Sequence, residues 1–234
     1  MSQTYKSVAL VGVMATSAKI ILDGLIISHQ FSITVLSRKE SETTFPSRAK
    51  KIVDAVLRAG VRRFLFSEFS ASNQDEAGLG NGFLGFDIAN KTATIWDGGN
   101  KSFTLINEKH LDQAVASVLQ HPQGTSNKFL YVASVETIQN NILAASEKET
   151  GAKWAVSSTT TEKQVDGAVK KLGAGDFSGA FALVRATGFG NTPGLRANYA
   201  KDDALANDML GLKLDTIQDT VKHFVAQQAC DSHG

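Results

Sequence analysis

Cysteine is almost missing from this chain: its 234 residues hold one, Cys230, in a polar carboxyl-terminal stretch. One thiol cannot close a disulfide within the chain, and no Cys/His spacing suggests a zinc site. A reducing compartment fits this usage, and a chain of this length buries a core without staples. An excess of charge of either sign is missing too. The 24 basic and 23 acidic side chains leave a formal charge of +1, which argues against nucleic acid as a partner and toward small molecules. Long apolar runs are also lacking, and none approaches the roughly 20 residues of a membrane span. The run Val8 to Ala15 follows an early lysine and resembles a secretory signal, but it is short and contains Gly12. It leads straight into an amphipathic segment, as a buried first strand does. These absences predict a cytoplasmic protein with no membrane partner.

What is present reads as an alternation of strands and helices. Ser7 to Gly12 is expected to be a buried strand, Ser17 to Ser28 a helix with Ile20, Ile21, Leu25 and Ile26 on one side, and Phe31 to Ser37 a second strand. A polar connection with Pro46 leads to a helix from Ser47 to Ala59 that stops at Gly60, and then to a third strand, Arg62 to Ser67. The third strand is expected directly beside the first, in the order second, first, third. From Ser70 to Gly82 the chain is rich in Ser, Asn, Asp, Glu and Gly, a loop or domain junction. Beyond it, Thr92 to Trp96 and Lys101 to Leu105 flank Asp97-Gly98-Gly99 as a hairpin signal. Helices are expected over Asn107 to Gln120, Thr137 to Thr150 (capped by Gly151), Thr161 to Leu172, Asp202 to Leu210 and Thr216 to Gln228. Phe129 to Ala133 and Trp154 to Val156 read as strands. The fold class is therefore α/β: a truncated, Rossmann-like parallel sheet over residues 1–78 and a smaller α+β part over 79–234.

The first strand-to-helix turn is short of glycine. Gly12-Val13-Met14-Ala15-Thr16-Ser17-Ala18 has alanine where a dinucleotide loop carries its second and third glycines. A methyl group at each position narrows the approach to a pyrophosphate without abolishing it. Backbone amides near Thr16 and Ser17 still offer a phosphate site, and an ordinary turn that binds nothing is the competing reading. After the second strand, Arg38 and Lys39 stand where an NAD-specific fold places an acidic residue. A guanidinium suits a 2′-phosphate, so NADP(H) is expected over NAD(H) if either binds, against the alternative of a solvated basic strand end. Ser67 and Glu68 close the third strand at the edge where parallel sheets take ligands, with a loop cap as the alternative role for Glu68. The candidate cofactor residues are thus Gly12, Met14, Ala15, Thr16, Ser17, Arg38, Lys39, Ser67 and Glu68. His29, His110, His121, His223 and His233 are scattered and read as surface or cap residues, and Trp154, Phe177, Phe181 and Phe189 as packing of the second layer.

Val8 to Gly12, Val35 to Arg38, Ala49 to Ala55 and Gly60-Val61-Arg62-Arg63-Phe64-Leu65-Phe66-Ser67-Glu68-Phe69 together resemble the NmrA-like and isoflavone-reductase-like group. Gly82 to Asp87, Asn90 to Gly99 and Tyr131 to Ser134 resemble the substrate-domain half as fungal members write it. The resemblance implies an atypical short-chain-dehydrogenase fold. Such a fold binds NADP(H) and either reduces a small secondary metabolite or senses the nucleotide's redox state. Two stretches are short against the group's pattern: Arg38 to Arg48, where a further strand, helix and strand are expected, and Glu68 to Gly82, where its catalytic lysine has no match. Lys91 and Lys101 lie in other motifs and do not inherit that role, and Tyr5, Tyr131 and Tyr199 lack a lysine four residues on. No catalytic residue is named, and enzymatic activity is left open. The expectation is an NADP(H)-dependent oxidoreductase. The alternatives are a non-catalytic nucleotide-binding regulator and a shortened, inactive gene product. Sheet edges left bare by the lost strands are expected to invite self-association.

Overall fold

A computed structural model describes residues 5–11, 16–36, 55–65 and 84–231. It opens as a strand, helix, strand unit: β1 (Ser7–Val11), α1 (Thr16–Ile27) and β2 (Ser32–Leu36). β1 and β2 pair in parallel from Ser7 opposite Ser32 to Val11 opposite Leu36. The alternation of β-branched and small residues decides which face is covered. Val8, Leu10 and Ile33 turn inward onto Ile21 and Leu25 of α1, whereas Ser7, Ala9, Ser32 and Thr34 remain exposed. The same cluster takes in Leu111, Val115 and Leu119 of α2 (Glu108–Gln120), so α1 lies against a helix from the later part of the chain.

The rest of the described chain carries two small sheets. β3 (Phe86–Asp87) pairs antiparallel with β4 (Thr92–Trp96), and β4 pairs in parallel with β7 (Ala155–Thr159). β5 (Phe103–Leu105) pairs antiparallel with β6 (Val135–Thr137). Around them lie α3 (Pro122–Thr125), α4 (Gln139–Thr150), α5 (Thr161–Gly173), α6 (Gly179–Phe189), α7 (Tyr199–Asp202), α8 (Asn207–Leu210) and α9 (Ile217–Asp231). The largest core joins Phe86, Trp96, Phe103, Ile142, Trp154, Phe189 and Val221. Phe189 meets Trp96 and Phe103 edge-on, at ring-centroid separations of 6.3 and 5.0 Å.

The mixed α/β architecture with parallel strands agrees with the sequence, while several elements differ. Residues 62–65 of the expected third strand take no strand conformation, and among the described residues β1 pairs with β2 alone. The two arginines explain this. Arg63 reaches Pro122 O at 3.3 Å, Thr125 O at 2.5 Å and Thr125 Oγ1 at 3.0 Å, and Arg62 lies over the Tyr5 ring at 5.4 Å. Their charged heads hold the segment against the α2–α3 corner. The order second, first, third strand is corrected accordingly. The expected helix Ser47 to Ala59 is seen at 55–58 and ends at Gly60 with φ +65°, and its earlier residues lie outside the described ones.

The hairpin expected at Asp97-Gly98-Gly99 does not form either. All three residues have positive φ (+46°, +81° and +74°), and the chain leaves β4 to join β6 in another sheet. Asn140 holds this departure, donating to Gly98 O at 2.8 Å while its own N–H donates to Gly99 O at 3.2 Å. Of Phe129 to Ala133, Tyr131 alone makes a bridge, to Leu205, and the strand begins later at Val135. The expected helix Asp202 to Leu210 is two short helices, because Asp203 turns out to pair with Arg196. α6 goes unrecognised in the sequence because Gly179, Gly188 and Gly190 crowd its ends. Gly179 is required there: a Cβ would stand 2.5 Å from Ala168 O of α5.

Candidate functional site

β1 and β2 end level, Val11 beside Leu36, and both carboxyl ends therefore open at one edge. Four residues, 12–15, carry the chain from β1 into α1, whose first residues are Thr16 and Ser17. The unpaired amides of that first turn lie at the same edge as the segment that follows β2. Arg38 is two residues beyond Leu36, a reach of no more than about 7 Å along the chain. Gly12, Met14, Ala15, Arg38, Lys39, Ser67 and Glu68 themselves lie outside the described residues.

A second parallel edge, at the ends of β4 and β7, is closed. The Asp97 carboxylate takes the Thr161 N–H at 3.0 Å and the Asn191 N–H at 3.2 Å, and also accepts from the Thr161 hydroxyl. Burial pushes this carboxyl up, but the bonds from Thr161 and Asn191, aided by the Lys101 ammonium, hold it below the ordinary range. A negative charge already sits at the first turn of α5, so that turn does not invite an external anion. Sequence reading missed this cluster because Asp-Gly-Gly signals a turn; the Thr160-Thr161 pair opening a helix was the available clue.

Lys101 Nζ donates to Gly190 O at 2.5 Å and Thr187 O at 3.2 Å, at the carboxyl end of α6. Its desolvation lowers the ammonium pKa, with Asp202 and Asp97 opposing. The lysine is therefore a helix-end tie, in keeping with its exclusion as an inherited catalyst. Tyr131 stacks on Tyr199 with centroids 4.9 Å apart and Arg196 over its other side at 6.0 Å. His110 corrects the surface-or-cap expectation: it is 4% exposed, with Nδ1 2.9 Å from Asn107 Oδ1 and Nε2 2.7 Å from Lys213 O. Trp154 and Phe189 are core residues as expected, whereas Phe177 and Phe181 are exposed. Among the described residues no group of three or more His, Cys, Asp or Glu could hold a metal ion, and no helix is long and apolar enough to cross a membrane.

No family model matches the chain. In sequence it is similar to the oxidoreductase aprR of Aspergillus flavus, 24% identical over 294 aligned positions that cover 92% of this chain and 97% of that one. It is also similar to the oxidoreductase poxI of Penicillium oxalicum, 31% identical over 138 residues; that match covers 59% of this chain and less than half, 44%, of the relative. In structure it resembles AtPrR2 in its apo form, with TM-score 0.63 and 16% identity over 95% of this chain and all of that one. An NADPH-dependent quinone oxidoreductase of Escherichia coli superposes with TM-score 0.58 and 12% identity, over 93% of this chain and 99% of that one. The chain shares their fold. The aprR alignment is longer than the chain itself and reaches nearly the whole relative, so that relative carries internal residues which this chain skips. The shortness read from Arg38 to Arg48 and Glu68 to Gly82 has a counterpart in that difference.

Proposed function

We propose that the chain is an NADP(H)-dependent oxidoreductase of the isoflavone-reductase-like group acting on a small secondary metabolite in the cytoplasm. The observation that carries the reading is the level, parallel ending of β1 and β2 at the edge where α1 begins. Oxidoreductases among the sequence relatives support it. Gly12, Met14, Ala15, Thr16 and Ser17 would hold the pyrophosphate, Arg38 and Lys39 the 2′-phosphate, and Ser67 and Glu68 would border the nicotinamide. The bound nucleotide supplies the hydride. The chain's own part is to bind and orient it, residues 1–78 forming the nucleotide part and 79–234 the substrate part. A non-catalytic nucleotide sensor is the second reading, favoured by Lys101, whose ammonium is committed to two carbonyl oxygens.

Calorimetric titration with NADPH and NADH tests the proposal. NADPH should bind at least tenfold more tightly, and Arg38→Ala should remove most of that difference, about 1–3 kcal/mol for a charge-assisted contact. Equal affinities, or no binding of either nucleotide at millimolar concentration, would refute it. Binding without turnover of quinone or enone substrates would select the sensor.

A further inference from the structure

Among the described residues, β7 is the outer strand of the β3–β4–β7 sheet. Residues 155–158 are exposed, Val156 at 49%. The ladder fixes which backbone groups turn outward. The Ala155 N–H donates to Lys91 O at 2.9 Å and Thr159 O accepts from the Asp97 N–H at 3.0 Å, so Ala155, Ser157 and Thr159 face β4. By alternation Val156 and Ser158 present their N–H and C=O groups to the open edge. On either side the outward groups have partners: the Trp154 N–H donates to Glu147 Oε1 at 3.1 Å, and Thr160 O accepts from the Gln164 N–H at 3.1 Å. The open ladder is thus one short, bounded stretch. Nothing within Ala-Val-Ser-Ser-Thr blunts it, since it has no proline, glycine or charge.

We propose that β7 pairs antiparallel with β7 of a second copy about a two-fold axis at Ser157. Val156 then exchanges both of its hydrogen bonds with the partner's Ser158, and Ser158 does the same with the partner's Val156. These four bonds satisfy every outward group between the two bounded ends. The flanking charges select this direction. Lys153, whose side chain is 91% exposed beside Glu147, lies four residues before Ser157, and exposed Glu162 lies five after it. Antiparallel pairing brings each Lys153 toward the partner's Glu162, whereas parallel pairing would set lysine against lysine. The interface uses the same patch on both copies, so assembly closes at two. A ribbon this short makes a weak dimer that the near-neutral chain does not oppose by long-range repulsion.

Sedimentation velocity on the full chain should show monomer converting to dimer as concentration rises from micromolar toward millimolar. Ser158→Pro removes one outward donor per copy without touching the β4 ladder. It should weaken dimerisation about tenfold with unchanged far-UV circular dichroism. Ser157→Cys, placed in a Cys230→Ser background, should form a linked dimer under mild oxidation, because facing residues of a non-hydrogen-bonded pair lie about 4.5 Å apart at Cα. If Ser158→Pro does not fold, the cysteine variant alone decides. A chain that stays monomeric throughout, a dimer indifferent to Ser158→Pro, or a dimer that Ser157→Cys fails to link would overturn the proposal.

Discussion

Asp97 shows how one side chain can override a local signal. Asp-Gly-Gly between two apolar runs favours a hairpin, but the carboxylate gains more by taking donors from Thr161 and Asn191 than the turn gains by folding back. Because its folded-state pKa lies below the ordinary value, Asp97 contributes stability above about pH 4, and this is lost as pH falls through the folded-state pKa. Asp97→Asn keeps a residue that tolerates positive φ and removes the charge. It should lower stability by about 1 kcal/mol at pH 7, a fall of about 3 °C in Tm, and the difference from the native chain should shrink in acid. A deficit that stays constant from pH 7 to pH 3 would show that the charge has no part in it.

At the scale of elements, α1 and α2 meet at Gly24. A Cβ there would stand 2.2 Å from Asp112 Cβ and 3.1 Å from Asp112 Cα, too close for a side-chain rotation to relieve. Helix propensity favours alanine over glycine by about 1 kcal/mol. The clash forces the helices apart and should win, so Gly24→Ala is expected to destabilise by about 1–3 kcal/mol, read as a lower midpoint in urea. Asp112 is already under strain of another kind, since burial pushes its carboxyl up and its Oδ1 has no hydrogen-bond partner. Elements with strong local signals were legible in the sequence. α2 stands between Asn107 and Pro122, α4 ends at Gly151 with φ +62°, and β1, α1 and β2 follow their apolar spacing. Elements decided by distant partners were not legible: Arg63 is drawn to the α2–α3 corner, and α6 depends on a glycine fitted against α5. Of the candidate site, Thr16 and Ser17 stand where the turn was read, and the basic pair after β2 remains a reading from residue type alone.

At the scale of the whole molecule, the division at residue 78 meets a shared helix. The largest core lies wholly within the later part, whereas Leu111, Val115 and Leu119 of α2 are covered by Ile21 and Leu25 of α1. A fragment spanning 79–234 should therefore keep a cooperative melt but expose that stripe and bind a hydrophobic dye such as ANS more strongly than the full chain. Dye binding equal to that of the full chain would mean that the two parts are energetically separate. One consequence of the parallel β4–β7 ladder concerns synthesis. Thr92 pairs with Ala155, and Asp97 waits for Thr161 and Asn191. While the ribosome is still making α4, β4 has no β7 to join, and Trp96 lacks Phe189 as a neighbour. The emerging chain must hold this apolar strand until much of its remaining length has been translated, an interval in which a chaperone that grips extended apolar segments would find its clearest target.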